Sequence, residues 1–358
     1  MLPTRVSSEA RVYLRPIDLA PDRGVRVLAG GWLRFARCEV RLRGEPSVIA
    51  DLAEIESWAR EIGPPLAFQV AQTLLRLSAP RPAFAGLAMD RPHLMGIVNV
   101  TPDSFSDGGR LASVEAAVAH GLRLVEQGAA ILDIGGESTR PGAGPVDAAA
   151  EIARAVPVIE GLRARWPGPI SIDTMKPGVA RAAVAAGATM WNDVTALGFA
   201  PDSLTTAADL GCDVVLMHMQ GEPRTMQAAP HYDDVVAEVA DWLAARADAA
   251  MAAGVARERI RLDPGLGFGK TAAHNLALTA HLDRLAALGF PVLYGGSRKR
   301  TIQSVDPAAT DPADRLGGSL ALALEAARNG AAIIRVHDVR ETVQALAVQA
   351  AILAESGR

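Results

Sequence analysis

From residue 94 onward one pattern repeats eight times: a short apolar run, then a stretch with apolar residues at helical spacing. The runs are LMGIVNV (94–100), AAILDIG (129–135), PISID (169–173), TMWNDV (189–194), DVVLMHM (213–219), RIRLD (259–263), FPVLYG (290–295) and AAIIRVH (331–337). Between them lie segments such as SVEAAVAHGLRLVEQG, AAAEIARAVPVIEGLRARW and DDVVAEVADWLAARADAAMAAG. Continuously apolar strands alternating with helices need both sheet faces covered and therefore pair in parallel. Eight such units predict an α/β fold, a closed (β/α)8 TIM barrel spanning 91–358. An open doubly wound sheet fits less well, because the first strand–helix turn lacks G-x-G-x-x-G.

Residues 1–90 break the pattern. They hold two strand-like stretches, RVLAGG and WLRFARCEVRLRG, and two helical ones, SVIADLAEIESWAREIG and AFQVAQTLLRL. A Pro- and Ala-rich run, SAPRPAFAGLAMDRPH, reads as a linker. The prediction is a small N-terminal α+β extension over 1–90. It contains no metal-ligand spacing, glycine loop or carboxylate pair, so its role is not readable.

Composition excludes several classes. With 49% hydrophobic and 21% charged residues the chain is neither disordered nor a charged tail. A net charge of −4 argues against non-specific nucleic-acid binding. No apolar run reaches the roughly 18–20 residues of a membrane span, and the N-terminal residues lack a signal-peptide core. Cys38 and Cys212 form no CxxC pair, which fits a reducing compartment; the expected location is cytoplasmic. Only three of the 36 basic residues are lysines: Lys176, Lys270 and Lys299. A lysine kept in so arginine-rich a chain can be serving as a compact point donor that a planar guanidinium cannot replace.

In a barrel of this kind, chemistry sits at the C-terminal strand ends. The runs end at Asn99, at Asp133 with Glu137-Ser138-Thr139-Arg140 beyond, at Asp173, Asn192-Asp193, His218 and Asp263. The seventh leads to Ser297-Arg298-Lys299-Arg300, and the eighth ends at Arg335 and His337. A lone Asp or Asn at a strand end is more often a cap or turn residue, and Asp133 and Asp193 are read that way, as caps or barrel-mouth hydrogen bonders. Eight coincident polar ends point instead to a site. Carboxylates and an amide suit the N–H edge of an amino-heterocycle; Arg and His on the eighth strand suit phosphate or diphosphate. GLGFGKT is not a nucleotide P-loop, since Pro264 stands where the motif needs glycine.

These residues carry a family resemblance. LMGIVNVTPDSFSDGG (94–109) and DIGGESTRPGA (133–143) resemble the two loop motifs of the dihydropteroate synthases. SIDTMKPGVARAAVAAGATMWNDV, LDPGLGFGKT, GGSRKRTI and IIRVHDV resemble that family's later signatures, in order, over 94–340. The resemblance implies a (β/α)8 transferase of folate biosynthesis. It would condense 6-hydroxymethyl-7,8-dihydropterin diphosphate with para-aminobenzoate to 7,8-dihydropteroate and diphosphate, and would be a sulfonamide target.

The roles implied by the resemblance are these. Asp173, Asn192, Asp263, Lys299 and Phe268 hold the pterin. Asn99, Thr139, Arg335 and His337 bind diphosphate. Phe105, Thr139, Pro141, Phe268 and Arg300 surround para-aminobenzoate, Arg300 standing where the family often has serine. Asp173, Lys299 and Arg140 serve catalysis, and Asn99 and Asp107 ligate Mg2+. A homodimer is implied; no nucleic acid or membrane is. The rival readings are a pterin-binding methyltransferase on the same barrel, which would not need the diphosphate ligands, and a non-catalytic pterin-binding paralogue, which should have lost some of these residues.

Overall fold

The computed structural model describes the chain apart from residues 8–9, 22–23, 43–44, 85, 101–108, 138–143, 145, 222–224 and 356–358, with the backbone alone at 109–113. The extension is built from β1 (Val12–Ile17), β2 (Arg26–Val27), β3 (Arg34–Phe35), β4 (Arg37–Leu42), β5 (Val48–Asp51), α1 (Leu52–Ile62) and α2 (Pro64–Ser78). Strands β1, β4 and β5 form an antiparallel sheet in the order β1-β4-β5. β1 and β4 alternate buried and partly exposed residues, and Pro16 sits on edge strand β1, where a missing N–H costs nothing. β1 and β5 fall outside the strand-like stretches read from sequence; the V-Y-L-R-P-I alternation was the signal for β1.

The barrel strands are β6 (His93–Asn99), β7 (Ile131–Gly135), β8 (Ile170–Asp173), β9 (Met190–Asp193), β10 (Asp213–Met217), β11 (Ile260–Asp263), β12 (Val292–Tyr294) and β13 (Ala331–Val336). They close in the order β10-β11-β12-β13-β6-β7-β8-β9, every pair parallel, and each coincides with one of the eight apolar runs. The connecting helices are α3 (Gly109–Glu126), α4 (Ala148–Arg163), α5 (Pro177–Ala185), α6 (Ser203–Leu210), α7 (Val235–Ala252), α8 (Ala272–Ala280), α9 (Asp283–Ala286), α10 (Arg300–Val305), α11 (Leu316–Arg328) and α12 (Val339–Glu355).

Period-two alternation divides the buried residues into two layers. Leu132, Ile134, Ile172, Trp191, Leu216 and Ile334 pack outward with the helices. Met95, Ile131, Met190, Val215, Leu293 and Ile333 form a separate interior cluster, which also holds Phe84 and Met89. The stretch after α2 is therefore no mere linker. Phe84 pairs with Leu87 in a tight two-way backbone bridge (3.0 and 2.7 Å) and closes the N-terminal end of the barrel. Burying one aromatic ring there stabilises the fold more than a solvated connection could, and a Pro/Ala-rich composition does not encode that burial.

The extension packs on the barrel flank. Arg15 pairs with Asp283 at 3.5 Å and Arg41 with Asp234 at 3.2 Å, while Ala287 and Leu353 pack against the extension core. Among the described residues no helix is long and apolar enough to cross a membrane.

Candidate active site at the barrel mouth

Strand register brings the expected residues onto one rung. Asn99 pairs with Gly135, Gly135 with Asp173, and Asp173 with Asn192, across four neighbouring strands. The alternation points these positions into the barrel and sends Asp193, one residue on, outward. Asp193 accepts the N–H of Thr195 (2.7 Å) and of Leu197 (2.9 Å) and so caps a turn. Asp133 faces inward two residues below Gly135, one layer deeper.

Arg335 on β13 crosses this rung. Its Nε donates to Asp133 Oδ2 at 2.6 Å and its Nη2 to Asp173 Oδ2 at 2.8 Å. Asn192 Nδ2 also donates to Asp133 Oδ2, at 3.3 Å. Burial opposes the charge on Arg335, but the two carboxylates outweigh it and hold the guanidinium protonated. Asp173 Oδ1 is buried without a hydrogen-bond partner among the described residues. Burial pushes the Asp173 carboxyl up to about 7, against the pull of Arg335. Of the two readings of Asp133, cap or barrel-mouth hydrogen bonder, the second holds: it braces Arg335 and Asn192 from beneath the site.

On the opposite wall Asp263 ends β11 and accepts the Gly265 N–H at 2.7 Å. Its acidity is weakened first by burial and partly restored by Lys299. Lys299 donates to the Leu266 carbonyl, and its Nζ lies 5.0 Å from the centre of the Phe268 ring. Burial lowers the Lys299 ammonium to about 8, although Asp263 and Asp173 work the other way. Ser297 Oγ lies 3.0 Å from His337 Nδ1, linking the ends of β12 and β13. Arg300 is exposed at the start of α10.

Three of the remaining sequence candidates have structural work. His218 is buried against Trp242 and Tyr232. Burial, then Lys270, lowers its pKa to about 3, so it stays neutral. Lys270 Nζ lies 2.9 Å from His218 Nδ1 and donates to the carbonyls of His218, Gly265 and Phe268 at 3.2, 3.0 and 3.0 Å. It pins the 265–268 loop whose carbonyl then receives Lys299. That loop needs glycine at 265: φ is +65°, and a Cβ there would lie 1.9 Å from the His218 carbonyl oxygen. Lys176 bridges Glu137 (2.7 Å) and buried Glu151 (2.6 Å), and Glu137 also accepts the Val146 N–H at 2.8 Å. The sequence marked Lys176 only as a retained lysine; its partners lie 39 and 25 positions away.

Phe105, Asp107, Thr139, Arg140 and Pro141 lie outside the described residues. Of the two expected Mg2+ ligands, only Asn99 is therefore described. A methyl group at Gly135 would stand 3.5 Å from Asn99 Oδ1 and 3.9 Å from Asp173 Cβ, so the amide oxygen and the carboxylate side chain approach one spot. Among the described residues no three His, Cys, Asp or Glu side chains gather as a metal cluster. The Asn99 amide oxygen is a hard donor of the kind Mg2+ takes.

Fold and mouth together define a (β/α)8 barrel with carboxylates, an amide and cations gathered at the C-terminal ends of its strands. The family model described as pterin binding enzyme matches residues 95–337, past the extension. The dihydropteroate synthase of Escherichia coli K12 is 48% identical over 267 residues, covering 75% of this chain and 94% of that one. Two solved structures of the Xanthomonas albilineans dihydropteroate synthase superpose on 77% of this chain and 99% of theirs. The one with 4-aminobenzoic acid gives TM-score 0.72 at 56% identity. The one in complex with 7,8-dihydropteroate gives 0.68 at 51%. The chain belongs to the pterin-binding enzyme family, among its dihydropteroate synthases.

Proposed function

We propose that the chain catalyses the dihydropteroate synthase reaction at this mouth: 6-hydroxymethyl-7,8-dihydropterin diphosphate and para-aminobenzoate give 7,8-dihydropteroate and diphosphate. The observation that carries the reading is the buried Oδ1 of Asp173, without a hydrogen-bond partner among the described residues, beside Arg335 and on the rung shared with Asn99 and Asn192. Asp173, Asn192 and Asp263 offer acceptors and an amide to the pterin N–H edge, with Lys299 as donor and Phe268 as wall. Asn99, Arg335 and His337 receive the diphosphate end, joined by Thr139. Phe105, Thr139, Pro141, Phe268 and Arg300 border para-aminobenzoate, where sulfonamides that mimic it would compete.

Asp133, Asp173 and Asp263 bring carboxylates to this mouth beside Arg335 and Lys299. A carboxylate close to the substrate's methylene carbon favours the positive charge that develops there as the C–O bond to diphosphate breaks. Asp173 stabilises that charge; the weakly nucleophilic amine of para-aminobenzoate then attacks the carbon and releases a proton. Arg140 and Lys299 support the departing and reacting groups. Mg2+, held by Asn99 and Asp107 with the diphosphate oxygens, would neutralise the leaving group. A homodimer in the cytoplasm, with residues 1–90 as an accessory unit outside the chemistry, completes the reading. A coupled assay of diphosphate release tests it. Release that depends on para-aminobenzoate is expected; release independent of it, or none, would refute the assignment.

A further inference from the structure

Between the pterin lysine and the β12 strand end lies Arg298, whose φ is +57°. A non-glycine residue there costs about 1 kcal/mol or more, so something must hold it. Three contacts do. The Arg298 N–H donates to Ser319 Oγ at 2.9 Å, and its carbonyl accepts from Arg315 Nη1 at 3.0 Å. Its guanidinium forms a two-pronged pair with Asp338, Nε to Oδ2 at 2.9 Å and Nη2 to Oδ1. Ser319 and Arg315 are both buried, so the turn rests on a fixed floor at the start of α11. Asp338 directly follows His337, and Arg298 directly precedes Lys299. The pair therefore ties the loop after β12 to the loop after β13, parallel to the Ser297–His337 contact at 3.0 Å.

We propose that Arg298 and Asp338 are positioning residues that hold Lys299 and His337 in register, so that one substrate meets the pterin donor and the diphosphate ligand together. The proposal rests on the reading of Lys299 and His337 given above. Neither residue of the pair needs to touch substrate. A planar fork on a carboxylate fixes direction as well as distance, which a lysine at 298 would not do. Small misplacements of groups that bind one molecule are costly to turnover.

Kinetics in both substrates and thermal unfolding test this on Arg298→Gly, Arg298→Ala, Asp338→Asn, Asp338→Glu and the Arg298→Gly/Asp338→Asn double variant. Glycine suits the turn, so Arg298→Gly keeps the backbone and loses only the pair. For Arg298→Gly and Asp338→Asn, kcat/KM for pterin diphosphate should fall about tenfold, a direction shared by the double variant without further loss. The KM for para-aminobenzoate should change less than twofold, and Asp338→Glu should recover part of the activity. Wild-type kinetics in Arg298→Gly with a loss only in Arg298→Ala would assign the effect to the turn and overturn the proposal. Losses that add in the double variant, or that fall equally on both substrates, would also overturn it. Lys299→Ala separates the two levels. Near-normal turnover in that variant removes the underlying reading and the proposal with it, whereas a severe loss there beside intact Arg298→Gly kinetics removes the proposal alone.

Discussion

Asp133 and Arg335 sit 202 positions apart and meet at 2.6 Å inside the barrel, with no exposure left to the carboxylate side chain. Removing one partner of a buried pair leaves the other without compensation. Asp133→Asn retains the shape but not the charge, and Arg335 keeps Asp173. The expected cost is about 2–4 kcal/mol of folding stability, read from urea unfolding, with turnover reduced because Arg335 is less firmly aimed. A stability loss under about 1 kcal/mol would mean that the pair behaves as a surface one does.

Activity should follow a narrow bell in pH. Burial pushes Asp173 up to about 7, and an acid below its pKa is neutral, so kcat/KM should drop as pH falls through about 7. Burial pulls Lys299 down to about 8, and an ammonium above its pKa loses charge, so the second limb should fall as pH rises through about 8. The kcat/KM profile reports these groups in the free enzyme. Asp173→Asn should fold, bind pterin, lose about 10²–10³ in kcat and lack the acid limb. A variant retaining that limb would assign it to another group.

Eight apolar runs were legible as barrel strands because burial on both faces makes each one continuous. The strand-end chemistry was legible because polar residues are costly there without a purpose. What the sequence hid depends on tertiary neighbours. Asn192 and Asp193 are adjacent, yet one points into the mouth and the other caps a turn; only the phase of the alternation separates them. Lys270 and Lys299 share the rarity of lysine in this chain, but the carbonyl cage of Lys270 is assembled from loop backbone. Phe84 lies in a composition typical of linkers, and nothing local reveals that the barrel floor lacks a side chain without it.

That cage alters what a lysine comparison measures. Lys299→Arg should cost at least about tenfold in kcat/KM while leaving stability near wild type, because a planar fork cannot occupy the point contact at the Leu266 carbonyl. Lys270→Arg overfills a buried site with acceptors at 2.9–3.2 Å, and should lose about 1–3 kcal/mol. Activity per folded molecule should change less than in Lys299→Arg. Calorimetry beside kinetics distinguishes the pair; equal kinetic losses at equal stability would contradict it.

Phe84 gives the sharpest separation of stability from chemistry. The ring is 1% exposed and sits among Met95, Ile131, Met190, Val215, Leu293 and Ile333, at the barrel end opposite the mouth. The Arg261 guanidinium lies 4.8 Å from the ring centre, so the ring also covers a buried charge. Phe84→Ala opens a cavity there and should cost about 3–5 kcal/mol. At a temperature where the variant is still folded, kcat should stay within twofold of wild type, since the ring lies at the end of the barrel opposite the strand ends that carry Asp173, Asp263 and Lys299. The same geometry bears on truncation. Removing residues 1–88 takes the plug away with the extension, so that protein should be poorly folded. Removing 1–78 leaves Phe84 and Met89 in place, and should give a less stable but active barrel. Equal behaviour of the two truncations would show that the floor closes without Phe84. A tenfold fall in kcat for folded Phe84→Ala would instead couple the floor to the chemistry above it.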